Sequence, residues 1–426
     1  MARLRIRVPS FRGLLVLVTG EGLTRLLSFL AVSLLTRRLG DRGWAPVEVS
    51  LAALQFGALF VEMGFPLLGA REVARDPAAA GRLLPRVLPT QLAIAAALAL
   101  GALAAARAGL VDAEVGELLP GYGASLLLLP FVLSWIFQGR GEMVWVAAPQ
   151  VVRQAVFLVA SAALVSGVAD RSRLAWAELL AVASAAAVAL LALRRRGRLA
   201  LAPRPAFDPR LLREALPIGG SQFLWALRMY LPTLLLWHLV EREALARYGV
   251  AHKIMMVLQA LLTMYFTNLF PALSRAVHGP RADLRRLLLQ STAIAAGGTL
   301  LLALAVAYRA GPLLGLCFGA VFDHPEAVEC LALLAFVIPL LALRGHSRMT
   351  LLELGRGRAE LACSVAGTLL LALLVTWWGA ARGASGAALA LLAAEGFATL
   401  LTLAALRRAL RASSLPHRID PPEPLP

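Results

Sequence analysis

The chain has 426 residues, is 59% hydrophobic and has a mean hydropathy of +0.75. That profile excludes a water-soluble globular protein and makes a polytopic helical membrane protein the default. The net charge of +17 does not point to nucleic acid, because its arginines sit in short segments between apolar runs and form no basic face on a soluble domain.

Taken in order, Met1–Arg12 carries Arg3, Arg5, Arg7 and Arg12 and no acid. Leu14–Leu35 is longer than a signal core and lacks a small-x-small exit, so it reads as the first span. Spans are predicted near 13–36, 47–69, 84–106, 118–138, 145–168 and 174–193. The basic stretch Arg194–Arg213 follows. Six more spans are predicted near 215–240, 244–273, 287–308, 328–343 (or on to about 352), 359–380 and 384–406. The expected organisation is an N-terminal six-helix lobe over 1–200, a basic cytoplasmic connector over 201–213, a C-terminal lobe over 214–411 and a disordered cytoplasmic tail over 412–426.

Lysine and arginine distribution tests this count. With the N-terminus inside, the inner segments hold 28 of the 42 basic residues, the outer loops 10 and the spans 4. Such a positive-inside bias supports an even number of crossings with both ends in the cytoplasm. The two halves also echo one another. Gly64–Leu68 reads Gly-Phe-Pro-Leu-Leu with Arg71 beyond it, and Leu269–Leu273 reads Leu-Phe-Pro-Ala-Leu with Arg275 beyond it. Six spans per half makes these parallel repeats, with the working site expected between the halves.

The four basic residues inside spans are Arg25, Arg153, Arg228 and Lys253, the last being the only lysine. A cation near the bilayer centre costs about 2.5–3.5 kcal/mol on insertion scales, so each needs a hydrated cavity or a partner charge. Ser221, Trp225, Arg228 and Pro232 share one face of the seventh span. Gly249, Lys253, Met256, Ala260, Thr263 and Thr267 share one face of the eighth. Small and polar stripes of this kind suit a cavity wall and suit close helix packing equally well. Glu21 stands four residues before Arg25, which places the two as a helical ion pair or as a cavity cation with a tuning acid. Arg153 faces a cavity or snorkels to the cytoplasmic side. Glu62 and Glu395 are carboxylates for charge pairing or for carrying a coupling ion, with pairing ahead.

No phosphate-binding glycine loop, paired His and Glu spacing or other catalytic arrangement occurs, so neither an enzyme nor a metal site is expected. Cys317, Cys330 and Cys363 are scattered and give no disulfide framework. The outer loops are short, which disfavours a membrane glycosyltransferase or polymerase.

Several stretches resemble bacterial polysaccharide flippases of the multidrug/oligosaccharidyl-lipid/polysaccharide exporter superfamily. They are Arg247-Tyr-Gly-Val-Ala-His-Lys-Ile continuing to Asn268-Leu-Phe-Pro-Ala-Leu-Ser, Leu26-Leu-Ser-Phe-Leu through Arg37-Arg-Leu-Gly, and Gly383-Ala-Ser-Gly-Ala-Ala with Glu395. The resemblance runs from Gly13 to Arg408 and rests on the order and spacing of these motifs. It implies an all-α membrane protein of two six-helix lobes in a V around a central cavity. It also implies alternating access that moves polyprenyl-pyrophosphate-linked oligosaccharide to the periplasmic leaflet, for cell-surface polysaccharide such as the O-antigen of lipopolysaccharide. Arg25, Arg228, Lys253 and, more weakly, Arg153 are then the pyrophosphate-binding cations. No cofactor is implied, and coupling to a Na+ or H+ gradient is an open option. The partners would be the lipid-linked substrate, membrane lipids and polysaccharide polymerase or export proteins, in the inner membrane. Rival readings are a drug or cation antiporter on the same fold, which should have an acidic cavity, and a transport-incompetent partner of a synthesis complex.

Overall fold

The structure is a computed structural model and describes residues 11–195, 209–277 and 280–412. Arg3, Arg5 and Arg7, most of the basic connector and the tail after Ala412 lie outside the described residues. The described residues are almost entirely helical and contain no strand. The helices are α1 (Phe11–Glu62), α2 (Phe65–Arg75), α3 (Ala79–Arg107), α4 (Ala113–Gly116), α5 (Leu119–Leu128), α6 (Ser134–Gly139), α7 (Met143–Leu164), α8 (Arg173–Arg195), α9 (Pro209–Leu239) and α10 (Arg242–Val277). The remainder are α11 (Arg281–Tyr308), α12 (Ala310–Phe318), α13 (Pro325–Ala335), α14 (Val337–Glu353), α15 (Gly357–Leu374) and α16 (Ala380–Ala412).

Nine stretches of the described residues are long and apolar enough to cross a membrane. Thr19–Arg75 and Gly357–Arg411, of 57 and 55 residues, are more than twice the required length. Each is broken at a glycine within its length, and the first turns again at Met63–Gly64. Gly40 (φ 67, ψ −176) breaks the first and Gly383 (φ 62, ψ −135) the second, in backbone regions that side chains other than glycine's avoid. Counting both as double crossings and adding α9, about 46 Å long at 1.5 Å per residue, yields the twelve crossings read from the sequence. The protein is thus an all-α multi-pass membrane protein. The tenth crossing extends to Glu353, with a break at Phe336 between α13 and α14.

Packing follows membrane rules. Leu180, Leu190, Leu191 and Trp176 of α8 are exposed, while Ala177, Ala181, Ala185, Ala189 and Ala192 are buried. Lipid tails solvate leucine as well as protein does, so small residues go inward, where they let backbones approach closely.

Contacts divide the chain into two compact units, residues 1–249 with 314–323 and residues 250–313 with 324–426. In the first, α1 lies along α7, α7 along α8, α3 and α8 along α5, and α9 along α1. In the second, α16 packs on α13, α14 and α15, and α11 on α13 and α14.

Candidate functional site

Intramembrane charges in the first unit fall into three arrangements. Near the start of α1, Arg25 and Glu21 form an i,i+4 pair at 2.7 Å, with side chains 42% and 49% exposed. Deeper in the bundle, Arg153 of α7 pairs with Glu178 of α8 at 2.5 Å, where Glu178 retains 6% of its exposure. Arg228 is buried in α9 beside Ala226 and Met229, which are also buried. Pro232 and Thr233 continue the buried stretch one turn on. Lys253, in the second unit, is half-buried and follows the buried His252. Ser221, Trp225 and Thr267 have side chains outside the described residues. Arg25 and Arg153 are therefore engaged by carboxylates, and Arg228 is the most deeply placed of the four cations.

Glu62 and Glu395 have opposite surroundings. Glu395 of α16 is 1% exposed and accepts from Arg344 at 3.2 Å. Arg344 also donates to Ser364 at 2.6 Å and stands 3.8 Å from Glu360, which Arg348 approaches at 3.3 Å. This network in the second unit joins α14, α15 and α16. Beside it, Tyr265 donates to the Ser291 carbonyl at 2.9 Å and lies 3.2 Å from His346, whose Nδ1 is 2.8 Å from the Ala342 carbonyl. Glu62, by contrast, makes no ion pair or hydrogen bond among the described residues. It faces a recess of about 30 Å³ lined also by Gln91, Ser134, Trp135 and Gln150.

At the other end of the first unit, residues from several predicted outer connections meet. Arg247 pairs with Asp41 at 3.3 Å, and Arg242 with Asp112 at 2.9 Å. Arg242 also lies 3.4 Å from the centroid of the Trp237 ring. Arg171 bridges Glu114 and Glu117 at 3.3 and 3.4 Å. Ser33 and Arg37 donate to the carbonyls of Cys317 and Leu316. Helices α9 and α10 are thereby tied to α1 and to the α3–α5 connection.

Sequence reasoning missed Glu178, Arg344 as a buried group, and the two glutamines. Opposite charges in the fifth and sixth spans were the available signal for Arg153 and Glu178. The same logic, a carboxylate in an apolar run that requires a cation, points from Glu395 to Arg344.

Solved structures share this fold. A multidrug resistance transporter of the MATE family and MOP superfamily, in an inward-facing conformation, superposes with a TM-score of 0.74 at 18% identity, over 95% of this chain and 99% of that one. The lipid II flippase MurJ, in an inward closed conformation, gives 0.71 at 12% identity, over 92% and 87%. A MOP superfamily transporter from Pyrococcus furiosus, described as having a binding pocket of reversed polarity, gives 0.60 at 16% identity, over 94% of each chain. No curated protein matches the sequence. The family model of polysaccharide biosynthesis proteins matches residues 10–277, well over half the chain, and the protein belongs to that family.

Proposed function

We propose that the protein is a flippase that carries polyprenyl-pyrophosphate-linked oligosaccharide from the cytoplasmic to the periplasmic leaflet of the bacterial inner membrane, by alternating access. The product would feed cell-surface polysaccharide of the O-antigen type, and both termini would be cytoplasmic. Family membership and the fold shared with a lipid II flippase support this reading. The observation that carries it is Arg228, a guanidinium at 5% exposure inside a membrane helix. A lipid pyrophosphate loses its hydration on entering the membrane, and a planar guanidinium fork replaces that hydration in two parallel hydrogen bonds. Lys253 supplies a second, point-like charge. Arg25 and Arg153, already facing Glu21 and Glu178, are secondary. The protein performs no covalent chemistry in this scheme.

The test is translocation of a fluorescent polyprenyl-pyrophosphate sugar by full-length protein in proteoliposomes. Losing a hydrogen bond to a charged group removes about 1.5–3 kcal/mol, so Arg228→Ala and Lys253→Ala should each slow flipping about ten- to a hundredfold while still inserting. Wild-type rates in both variants would end the assignment. Transport of a cationic dye in place of the lipid would favour the antiporter reading.

A further inference from the structure

Side-chain exposure in the second unit marks where its helices meet the bilayer. On α15, Leu361, Val365, Leu369 and Leu373 recur at four-residue steps and are 40–67% exposed, so they form one apolar column along the helix. The column begins one turn after Arg358 and ends at Trp377, which is 71% exposed. Residues 358 and 377 are about 28 Å apart at 1.5 Å per residue, which matches a hydrocarbon core about 30 Å thick. Helix α11 repeats the pattern. Its exposed Ile294, Leu301 and Leu304 share one face with Arg286 at one end and Tyr308 at the other. On α16, exposed Leu400 and Ala404 lead to Arg408. Each lipid-facing column thus ends in an arginine at one surface, and two end in an aromatic ring at the other, as in an interfacial belt.

The arginine end carries charge that the chain does not neutralise. Leu351 of α14 forms a buried cluster with Leu406 and Ala409 of α16, so these two helix ends lie together. Gly355 (φ 71) ends α14 in a left-handed turn, and the Arg356 N–H donates to the Leu351 carbonyl at 2.8 Å. That closed turn lets α15 restart at Gly357, which keeps Arg356 and Arg358 at the same end as Arg407 and Arg408. All four side chains are exposed and make no ion pair or hydrogen bond among the described residues. The carboxylates at this end are drawn inward: Glu360 is buried against Arg344 and Arg348, and Glu353 is half-buried. In the first unit, by contrast, exposed Arg75 pairs with Glu72 and exposed Arg82 with Asp76.

We propose that Arg356, Arg358, Arg407 and Arg408 bind the headgroup of an anionic glycerophospholipid, at the surface of the second unit predicted to be cytoplasmic. Each guanidinium can meet a phosphate through parallel N–H donors while its alkyl stem lies along the apolar column. The acyl chains follow the exposed columns of α15 and α16, which pack side by side. That continuity from arginine to apolar column selects a bilayer lipid over a soluble polyanion. The lipid is a resident of the membrane and not the transported substrate, so the site stands apart from the cavity cations.

The test uses no transported substrate, and its failure leaves the flippase reading untouched. Full-length protein in dodecyl maltoside is titrated with phosphatidylglycerol and, separately, with phosphatidylcholine of the same chain length. Native mass spectrometry counts the bound lipid. An arginine near an anionic surface adds about fivefold to affinity, so the wild type should prefer phosphatidylglycerol by about tenfold or more. Arg356→Gln, Arg358→Gln, Arg407→Gln and Arg408→Gln combined should abolish the preference, and the four corresponding Arg→Lys changes should retain most of it. Arg75→Gln with Arg82→Gln should leave it unchanged. The proposal is overturned if the wild type shows no preference, or if the fourfold glutamine variant, monodisperse and helical, keeps it. Equal loss in the Arg75, Arg82 variant also overturns it, because the effect would then be net charge alone. So does displacement of bound phosphatidylglycerol by excess glycerol phosphate, which would make this a site for a soluble phosphate.

Discussion

Replacing Arg344 with methionine should expose what the buried network of the second unit contributes. Arg344 is 6% exposed and Glu395 1%, so neither charge has water to fall back on. Breaking a buried pair from one side costs about 3–5 kcal/mol, because the remaining charge loses its compensation. Glu360 keeps Arg348 at 3.3 Å, so the damage centres on Glu395, which loses its guanidinium partner. Loss of the hydrogen bond to Ser364 adds about 1 kcal/mol. Equilibrium unfolding in mixed micelles should therefore show Arg344→Met destabilised by about 3–5 kcal/mol. Arg344→Met with Glu395→Gln should return to within about 1 kcal/mol of wild type, since a neutral pair carries no stranded charge. A single variant that loses less than about 1 kcal/mol would refute the reasoning.

Two further outcomes follow from geometry. A Cβ on Gly69 would lie 2.5 Å from Cε3 of Trp135, whose ring is 3% exposed and has little room to move. Gly69→Ala should cost about 1–3 kcal/mol in thermal unfolding, and Trp135→Leu in the same chain should recover most of it; an unshifted melting curve for Gly69→Ala contradicts that packing. At the other end of the unit, Asp41→Asn with Arg242→Ala removes the pairs tying α10 to α1 and to Asp112. Each such pair is worth up to about 1 kcal/mol, so local separation of α10 from α1 and from the α3–α5 connection should rise about three- to tenfold. In a Cys330→Ser, Cys363→Ser background, that rise should appear as faster labelling of Cys317 by a membrane-impermeant maleimide, and equal labelling rates would count against the ion pairs holding these elements together.

Sequence alone determined the helical membrane class and the placing of the apolar spans along the chain. Those features depend on local hydropathy and on length against bilayer thickness. The Glu21–Arg25 pair is legible for the same reason, being one helical turn apart. Tertiary structure alone decided that Arg153 meets Glu178, that Arg344 meets Glu395, and that Glu62 and Gln91 line one recess. These partners lie 25, 51 and 29 residues apart in sequence. Which of them touch depends on how far each helix is rotated about its axis and where it breaks. Those rotations are set by side-chain packing among many helices at once, and no local window of residues encodes them.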